Sequence, residues 1–453
     1  MKIPTTPPNY DALFEKFMTA TNSRLKAVAS SIIQKAIGPL TNKGEYIHWD
    51  KLQHLQPPEG LSATEWWFAI KWARKSLYKS LPFTDQYGIP MLMATPDSAL
   101  QKLHAIDRQV GNPISTLNSN MRESYLIGSL MEEAITSSQL EGASTTRKVA
   151  KEMLQTNRKP RTKSEQMITN NYQAMLFIQD MKNETITIKA ILELHRILTQ
   201  ETLDDPENAG NFRTSEDNIH VWDNRDGQVL HTPPKAEELN YRLQKLCEFA
   251  NATEKEDTFF IHPVQRAILL HFILAYDHPF VDGNGRTARA LFYWSMARQD
   301  YSLMEFISIS KILKESSGHY ARAFLYTETD ENDVTYFILY QLDVILKAIH
   351  ELHSYLDKKA KEMNATEKLL QVNNTLRHQL NYRQISLIQH ALKHPDFHYQ
   401  IEAHRQTYNI TYQTARTDLL KLAQLHILLQ QKIGKAFVFI APDDLKKRIE
   451  SID

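Results

Sequence analysis

The stretch from His278 to Arg289, HPFVDGNGRTAR, decides how the rest of this chain is read. It places a histidine, a carboxylate, two glycines flanking an asparagine, and two arginines in one short window. The segment before it, Pro263 to Tyr276, is apolar at helical spacing and predicts a buried helix. The segment after it, Arg286 through Ala297, is again helix-forming. The stretch therefore reads as helix, tight loop, helix.

Each residue in it has a physical reason to be there. Pro279 disfavours helical geometry at His278, so the helix should end there and turn the imidazole out. Phe280 reads as the apolar anchor of the loop. Gly283 and Gly285 allow backbone conformations that other residues resist. Their amides can form an anion nest at the positive end of the next helix. Arg286 and Arg289 share one face of that helix's first turn. Cations there oppose the helix dipole, at a cost of about 0.3–1 kcal/mol each, and a bound polyanion would reverse the sign. Asp282 sits where its carboxylate could hold a Mg²⁺ that phosphates also contact.

The whole window is similar, without departure, to the signature of the Fic family, H-x-F-x-[D/E]-G-N-G-R-x-x-R. The resemblance implies a mainly α fold: a helical core that moves a nucleotide, most often AMP from ATP, onto a protein hydroxyl. His278 is then the base, and Asp282 the metal-holding residue. Gly283, Asn284, Gly285, Arg286 and Arg289 become the nucleotide-binding set. Relatives that transfer phosphate carry lysine where this chain has Gly285, which favours nucleotide transfer. The target would be a protein with an accessible Tyr, Thr or Ser hydroxyl.

Composition sets the bounds. The 453 residues suffice for two or three domains, and the formal net charge is +0. No global charge draws the chain to nucleic acid or to a membrane. The single cysteine, Cys247, excludes an intrachain disulfide and suits a reducing, cytoplasmic setting. The first residues, MKIPTTPP, lack the apolar core of a signal peptide. The most apolar run, Phe259 to Tyr276, is interrupted by His262, Gln265, Arg266 and His271, so it predicts a core helix and no membrane span.

Residues 1–114 read as an N-terminal helical region. A helix is expected over Tyr10 to Ile37, and another is capped by Ser62 and carries Trp66, Trp67 and Trp72 as an aromatic core. Residues 115–365 read as the core domain. A long helix over about 120–142 ends at Gly142, which fits the residue just past a helix end. Within it Ser137, Glu141 and Gly142 fit the family's inhibitory motif, [S/T]-x-x-x-E-[G/N]. Glu141 is misplaced by the dipole rule unless a cation meets it, and Arg289 is the expected partner. Ile219, His220, Val221 and Trp222, with Gln228 to His231 across the turn-rich Asp223 to Gly227, predict a β-hairpin. The resemblance makes that hairpin the flap that docks the target by strand addition.

Asp357 to Glu367 reads as a polar helical connector. Residues 375–453 resemble a winged helix-turn-helix: helices over Arg383 to His394, Ile401 to Thr407 and Thr411 to Leu422, then a β-wing over Leu428 to Ile440. Tyr412, Gln413, Arg416 and Thr417 would face outward on the third helix. DNA, a protein partner and a homodimer all stay open there, as does self-modification. Two other readings of the whole remain: removal of AMP, alone or beside its transfer, and a DNA-binding regulator whose core only senses nucleotide. Intact His278 argues against the regulator, because sensing needs no base.

Overall fold

The computed structural model describes residues 2–19, 23–35, 37–110, 119–223, 225–253, 258–371, 379–433 and 436–451. Most elements are helices, and the strands form three small antiparallel sheets. The chain divides into two compact units. The first holds residues 1–109, 176–301 and 312–346; the second holds 110–175, 302–311 and 347–453.

The first unit opens with α1 (Tyr10–Met18) and α2 (Ser23–Gln34), where one helix was expected. After α3 (Trp49–Leu52) comes α4 (Ala63–Lys75), started by a capping box in which Ser62 and Glu65 satisfy each other's backbone amides. Trp66 and Trp67 are buried as expected, but Trp72 is 37% exposed and lies at the edge, against Phe14 and Phe68. A hairpin follows that local patterns did not reveal, β1 (Lys79–Thr84) with β2 (Pro90–Met93). Its turn is held by the Asp85 carboxylate, which accepts from the amides of Tyr87 and Ile89. Helix α5 (Asp97–Val110) comes next.

Polar side chains brace this region internally. Lys71 is buried and donates to Asp330 at 2.9 Å. The Arg74 guanidinium lies 3.6 Å from the centre of the Tyr46 ring and donates to the hydroxyl of Tyr336. Asp333 accepts from the hydroxyls of Tyr46 (2.6 Å) and Tyr78 (2.8 Å). Cys247 is buried, and burial pushes its thiol up to about 12, which leaves it an unreactive core side chain.

In the second unit, α6 (Ser119–Leu140) packs Met131 and Ile135 against Ala150, Met153 and Leu154 of α7 (Arg147–Thr156) and Ile168 of α8 (Lys163–Asp180). The first unit resumes with α9 (Ile188–Thr199), the hairpin strands β3 (Val221–Trp222) and β4 (Val229–His231), then α10 (Leu239–Asn251), α11 (Pro263–Asp277) and α12 (Asn284–Arg298). The chain continues through α13 (Ile309–Glu315), α14 (Ser317–Thr329) and α15 (Thr335–Gln371). Asp357 to Glu367 is helical, as expected, and lies inside one 37-residue helix. Exposed polar side chains do not stop a helix, and Lys359 pairs with Glu362 one turn on.

The C-terminal elements are α16 (Tyr382–Ala391), α17 (Ile401–Tyr408) and α18 (Tyr412–Gln424), then β6 (Leu429–Ile433), β7 (Ala436–Ile440) and α19 (Leu445–Glu450). Asn381 and Thr411 cap α16 and α18. An additional short strand, β5 (His398–Gln400), pairs with β7. The expected wing turn at Gly434 lies outside the described residues. These elements enclose an apolar set of their own, in which Ile388, Ala415, Leu419, Leu422 and Phe439 are buried. Among the described residues no helix is long and apolar enough to cross a membrane.

Candidate active site

Helix α11 starts with Pro263 at its first position and is buried along almost its whole length. It stops at His278, which adopts the left-handed conformation (φ 47°, ψ 57°). The proline that follows and this backbone reversal turn the chain out of the helix, as the sequence predicts. The His278 Nδ1 lies 3.2 Å from the carbonyl oxygen of Ala275. A carbonyl can only accept, so Nδ1 carries the proton in that contact. The neutral ring then has its lone pair on Nε2.

The loop is fixed from three directions. Phe280 is fully buried, and its ring stacks on His195 of α9 with centroids 3.7 Å apart and planes 3° from parallel. The Asn284 side chain brackets the same residue: Oδ1 accepts from the Phe280 amide at 2.9 Å, and Nδ2 donates to the Phe280 carbonyl at 2.7 Å. The amide that sequence reading gave to the phosphates is therefore engaged in holding the loop. His195 also reaches the loop backbone. Its Nδ1 accepts from the amide of Gly210 at 3.0 Å, so Nε2 carries the proton and donates to the Asp282 carbonyl at 2.8 Å. Burial holds this imidazole down at about 4, so it is neutral.

Gly283 begins α12 with φ 89°. A Cβ there would stand 2.9 Å from the Thr199 methyl and 3.2 Å from the His195 ring. Both the backbone and the space demand glycine. Gly285 differs from the expectation: it lies in the first turn of α12, and its backbone is not among the left-handed ones. Thr287 donates its hydroxyl to the Gly283 carbonyl at 2.9 Å, closing the turn.

Arg286 and Arg289 are each only 1% exposed. Arg286 donates to the Leu198 carbonyl at 2.9 Å and lies 3.3 Å from Asp282 Oδ2. Asp282 itself is half exposed at the loop's mouth. Two guanidinium groups buried at the positive end of a helix are an arrangement that favours a polyanion.

The hairpin pairs Val221 with His231 and Trp222 with Val229, with an irregularity between the two pairs. Asp223 gathers the main chain and guanidinium of Arg225, and Gly227 takes φ 67° to reverse the chain. Ile219, His220 and Val221 are partly exposed, and Trp222 is 51% exposed. The His220 ring is held between Thr232 and Asn218 and meets Trp222 edge-on.

The motif at the end of α6 lies in the second unit. Ser137 and Ser138 are buried. The Ser138 hydroxyl donates to the Met167 carbonyl and accepts from Asn171. Gly142 takes φ 96°, and the amide of Ala143 donates back to Ser138, so the helix closes with the expected cap. Glu141 and Gly142 are exposed. Sequence reading missed Glu133, which is buried on α6. Its carboxylate accepts from the Ser308 hydroxyl at 2.8 Å, from the Ser310 amide at 3.1 Å and from the Ser310 hydroxyl. It thereby caps α13. Only the spatial pairing, which no local pattern encodes, could have found it.

The Fic/DOC family model matches residues 185–296, the span that runs from just before α9 into α12. A protein of Culex quinquefasciatus named Protein adenylyltransferase Fic is 35% identical over 120 residues, 26% of this chain and 21% of that protein. One of the same name from Nematostella vectensis is 36% identical over 110 residues, 24% of this chain and 22% of that protein. The Drosophila melanogaster protein of that name is 32% identical over 164 residues, 36% and 29% respectively. The chain thus spans less than a third of the length of these curated relatives. Among solved structures, a Fic family protein of Desulfovibrio desulfuricans is 16% identical with a TM-score of 0.47, covering 75% of this chain and 95% of that one. Fic-1 of C. elegans is 20% identical with a TM-score of 0.45, covering 57% and 71%. This chain carries a Fic/DOC family domain at residues 185–296.

Proposed function

We propose that this protein is an adenylyltransferase that moves AMP from ATP to a Tyr, Thr or Ser hydroxyl of a target protein. The observation that carries the reading is the loop after α11. It places His278, with Nδ1 against the Ala275 carbonyl, just ahead of a glycine-started helix whose two arginines are buried. The relatives' printed names support the same chemistry.

In this reading the target oxygen attacks the α-phosphorus, and the bond from that phosphorus to the bridging oxygen of pyrophosphate breaks in line. His278 Nε2 takes the hydroxyl proton, a role worth about 10²–10⁴-fold. Amides at the start of α12 face the developing charge, while the Gly283 amide donates to Asp282 Oδ1. Arg286 and Arg289 hold the β- and γ-phosphates. The half-exposed Asp282 carboxylate fits a Mg²⁺ held by one carboxylate, water and the substrate's own phosphates. Such an ion would neutralise phosphate charge. Among the described residues no group of three or more His, Cys, Asp or Glu is gathered for a metal.

Glu141 is assigned an inhibitory role, occupying Arg289 so that ATP takes a pose unsuited to in-line attack. The hairpin edge at Ile219 to Trp222 is assigned to target docking. For the C-terminal elements a winged helix is the reading that their order supports. The exposed Tyr412, Gln413, Arg416 and Thr417 on α18 keep DNA or a protein as its partner.

The test is intact-mass analysis of the full chain, wild type and Glu141→Gly, after incubation with ATP and Mg²⁺, alone and with a cell extract. Gain of one AMP on this chain or on an extract protein, absent in His278→Ala, is the expected result. No transfer by the Glu141→Gly protein would sink the reading. Release of AMP from pre-modified protein would assign the reverse reaction.

A further inference from the structure

The end of α11 presents a row of backbone carbonyls, at Tyr276, Asp277, His278 and Pro279. Two side chains from the ends of the hairpin segment bind them. Arg213 donates its amide to Pro279 at 2.9 Å, its Nε to His278 at 2.8 Å, and a terminal nitrogen to Asp277 at 3.4 Å and to Pro234 at 2.5 Å. His231, the last residue of β4, places Nε2 2.7 Å from the Tyr276 carbonyl and Nδ1 2.8 Å from a Glu328 oxygen. The negative end of a helix dipole is thus met by two cationic types of side chain.

The His231 geometry fixes its protonation. A carbonyl oxygen only accepts, and an ionised carboxylate only accepts. With both ring nitrogens against acceptors, the ring must donate twice, as an imidazolium. Burial works against a charge at this 9% exposed position, but the Glu328 hydrogen bond and charge and the Tyr276 carbonyl outweigh it, and the net shift is upward from 6.5. The other charged groups around the ring agree in balance. Asp277 is buried, its carboxyl pushed up to about 6 by burial while Arg242 Nε donates to it at 2.8 Å. Arg213 binds the same carbonyl row.

We propose that His231 is a positioning residue: as a doubly donating imidazolium it latches the second strand of the hairpin to the end of α11. Its direct partner across the hairpin is Val221, in the strand assigned to docking. The latch therefore sets where a docked hydroxyl lies relative to His278, whose own carbonyl belongs to the same row. That consequence rests on the adenylyltransferase reading; the latch itself does not. The sign follows from linkage. A histidine whose folded pKa is raised contributes fully below about 6.5 and loses its contribution as pH rises through the folded value. Deprotonation leaves a lone pair facing either the carbonyl or the carboxylate, and one tie is lost.

The test uses the full chain with isotope-labelled histidine. The ring signal absent in His231→Gln identifies His231, and its titration is followed by NMR while amide exchange of residues 219–231 is followed across pH. The expected midpoint lies above 6.5, with hairpin protection relative to the base-catalysed intrinsic exchange rate at least several-fold lower above it than below. His231→Gln should show the lower protection at every pH. A midpoint at or below 6.5, or the same pH step in His231→Gln, overturns the latch. Glu328→Gln keeps the ring and removes its carboxylate, so it should lower the midpoint; an unmoved midpoint also overturns it. With active enzyme, His231→Gln should raise KM for the protein target about tenfold with ATP affinity unchanged. Absence of AMP transfer from the Glu141→Gly protein would sink the functional reading and leave the NMR and exchange results to decide the latch.

Discussion

Two helix ends in this chain use a glycine in the left-handed region, and they are built in opposite ways. At the start of α12, Gly283 (φ 89°) is crowded by Thr199 and His195, within 3.2 Å of where a Cβ would be. At the end of α6, Gly142 (φ 96°) has nothing within 4 Å of that position. Around Gly283 the neighbours are buried: Phe280, Asn284, Arg286, Thr287 and Arg289. At the other end Glu141 and Gly142 are exposed, between buried Ser138 and buried Ala143. The first end is over-determined by tertiary packing. The second is held by its own helix cap. A site for in-line chemistry needs the first kind of construction, and an element that has to yield needs the second.

The comparison can be broken first at the crowded glycine. Gly283→Ala combines left-handed backbone strain with a clash against a buried methyl, a cost of about 2–4 kcal/mol. AMP transfer should fall to background and the melting temperature of the full chain should drop. Wild-type transfer by this variant would show that the loop is not over-determined.

Next in size is the pair assigned to inhibition. Glu141→Gly should raise AMP transfer at least about tenfold if the lock is worth roughly 1.4 kcal/mol or more. Arg289→Ala should be inactive, and the double variant should equal Arg289→Ala. A Glu141→Gly protein no faster than wild type removes the inhibitory role from the open end.

Glu133 sharpens the contrast, because it anchors α6 by hydrogen bonds rather than by apolar packing. Glu133→Gln replaces charge-assisted bonds to Ser308 and Ser310 with weaker ones, at about 1.5–3 kcal/mol. The expected result is faster amide exchange in α6 and partial release of inhibition. Unchanged exchange would mean that the helix is held by its apolar contacts alone.

The smallest effect belongs to Gly142→Ala, where only backbone strain enters, about 1 kcal/mol. The melting temperature should fall by about 2–4 °C, with the fold and ATP binding retained. A loss as large as that of Gly283→Ala would erase the distinction between the two ends.

What the sequence carried was the local part of this design. Pro279 stopping α11, Ser62, Asn381 and Thr411 capping their helices, and Gly227 turning the hairpin act on their neighbours, so their residue types suffice. What it did not carry was the support arriving from a distance. His195 precedes Asp282 by 87 positions, yet it stacks on Phe280 and binds the Asp282 carbonyl. Nothing around Leu194 or Arg196 sets that histidine apart. Gly285 was misread for the opposite reason: the residue type permits an unusual backbone that its place in α12 does not use. The β1–β2 hairpin was missed because its turn is an Asp-Gln-Tyr-Gly sequence stabilised by the Asp85 side chain rather than by a two-residue turn signal. The polar run Asp357 to Glu367 is helical as its composition suggests, and with no cap or breaker before it the helix runs unbroken from Thr335 to Gln371.

The buried pair between Lys71 and Asp330 joins residues 259 positions apart, on either side of the family-matched span. Inheritance and folding therefore draw different borders on this polypeptide. A gene fusion or a laboratory graft cut at residues 185 and 296 would carry the reactive loop and leave both members of the pair behind. One that took Asp330 without residues 1–109 would lose both the lysine that neutralises this carboxylate and the segment that helps to bury it. The smallest portable piece of this molecule is set by where its charges are neutralised, and that piece is much longer than the signature by which it is recognised.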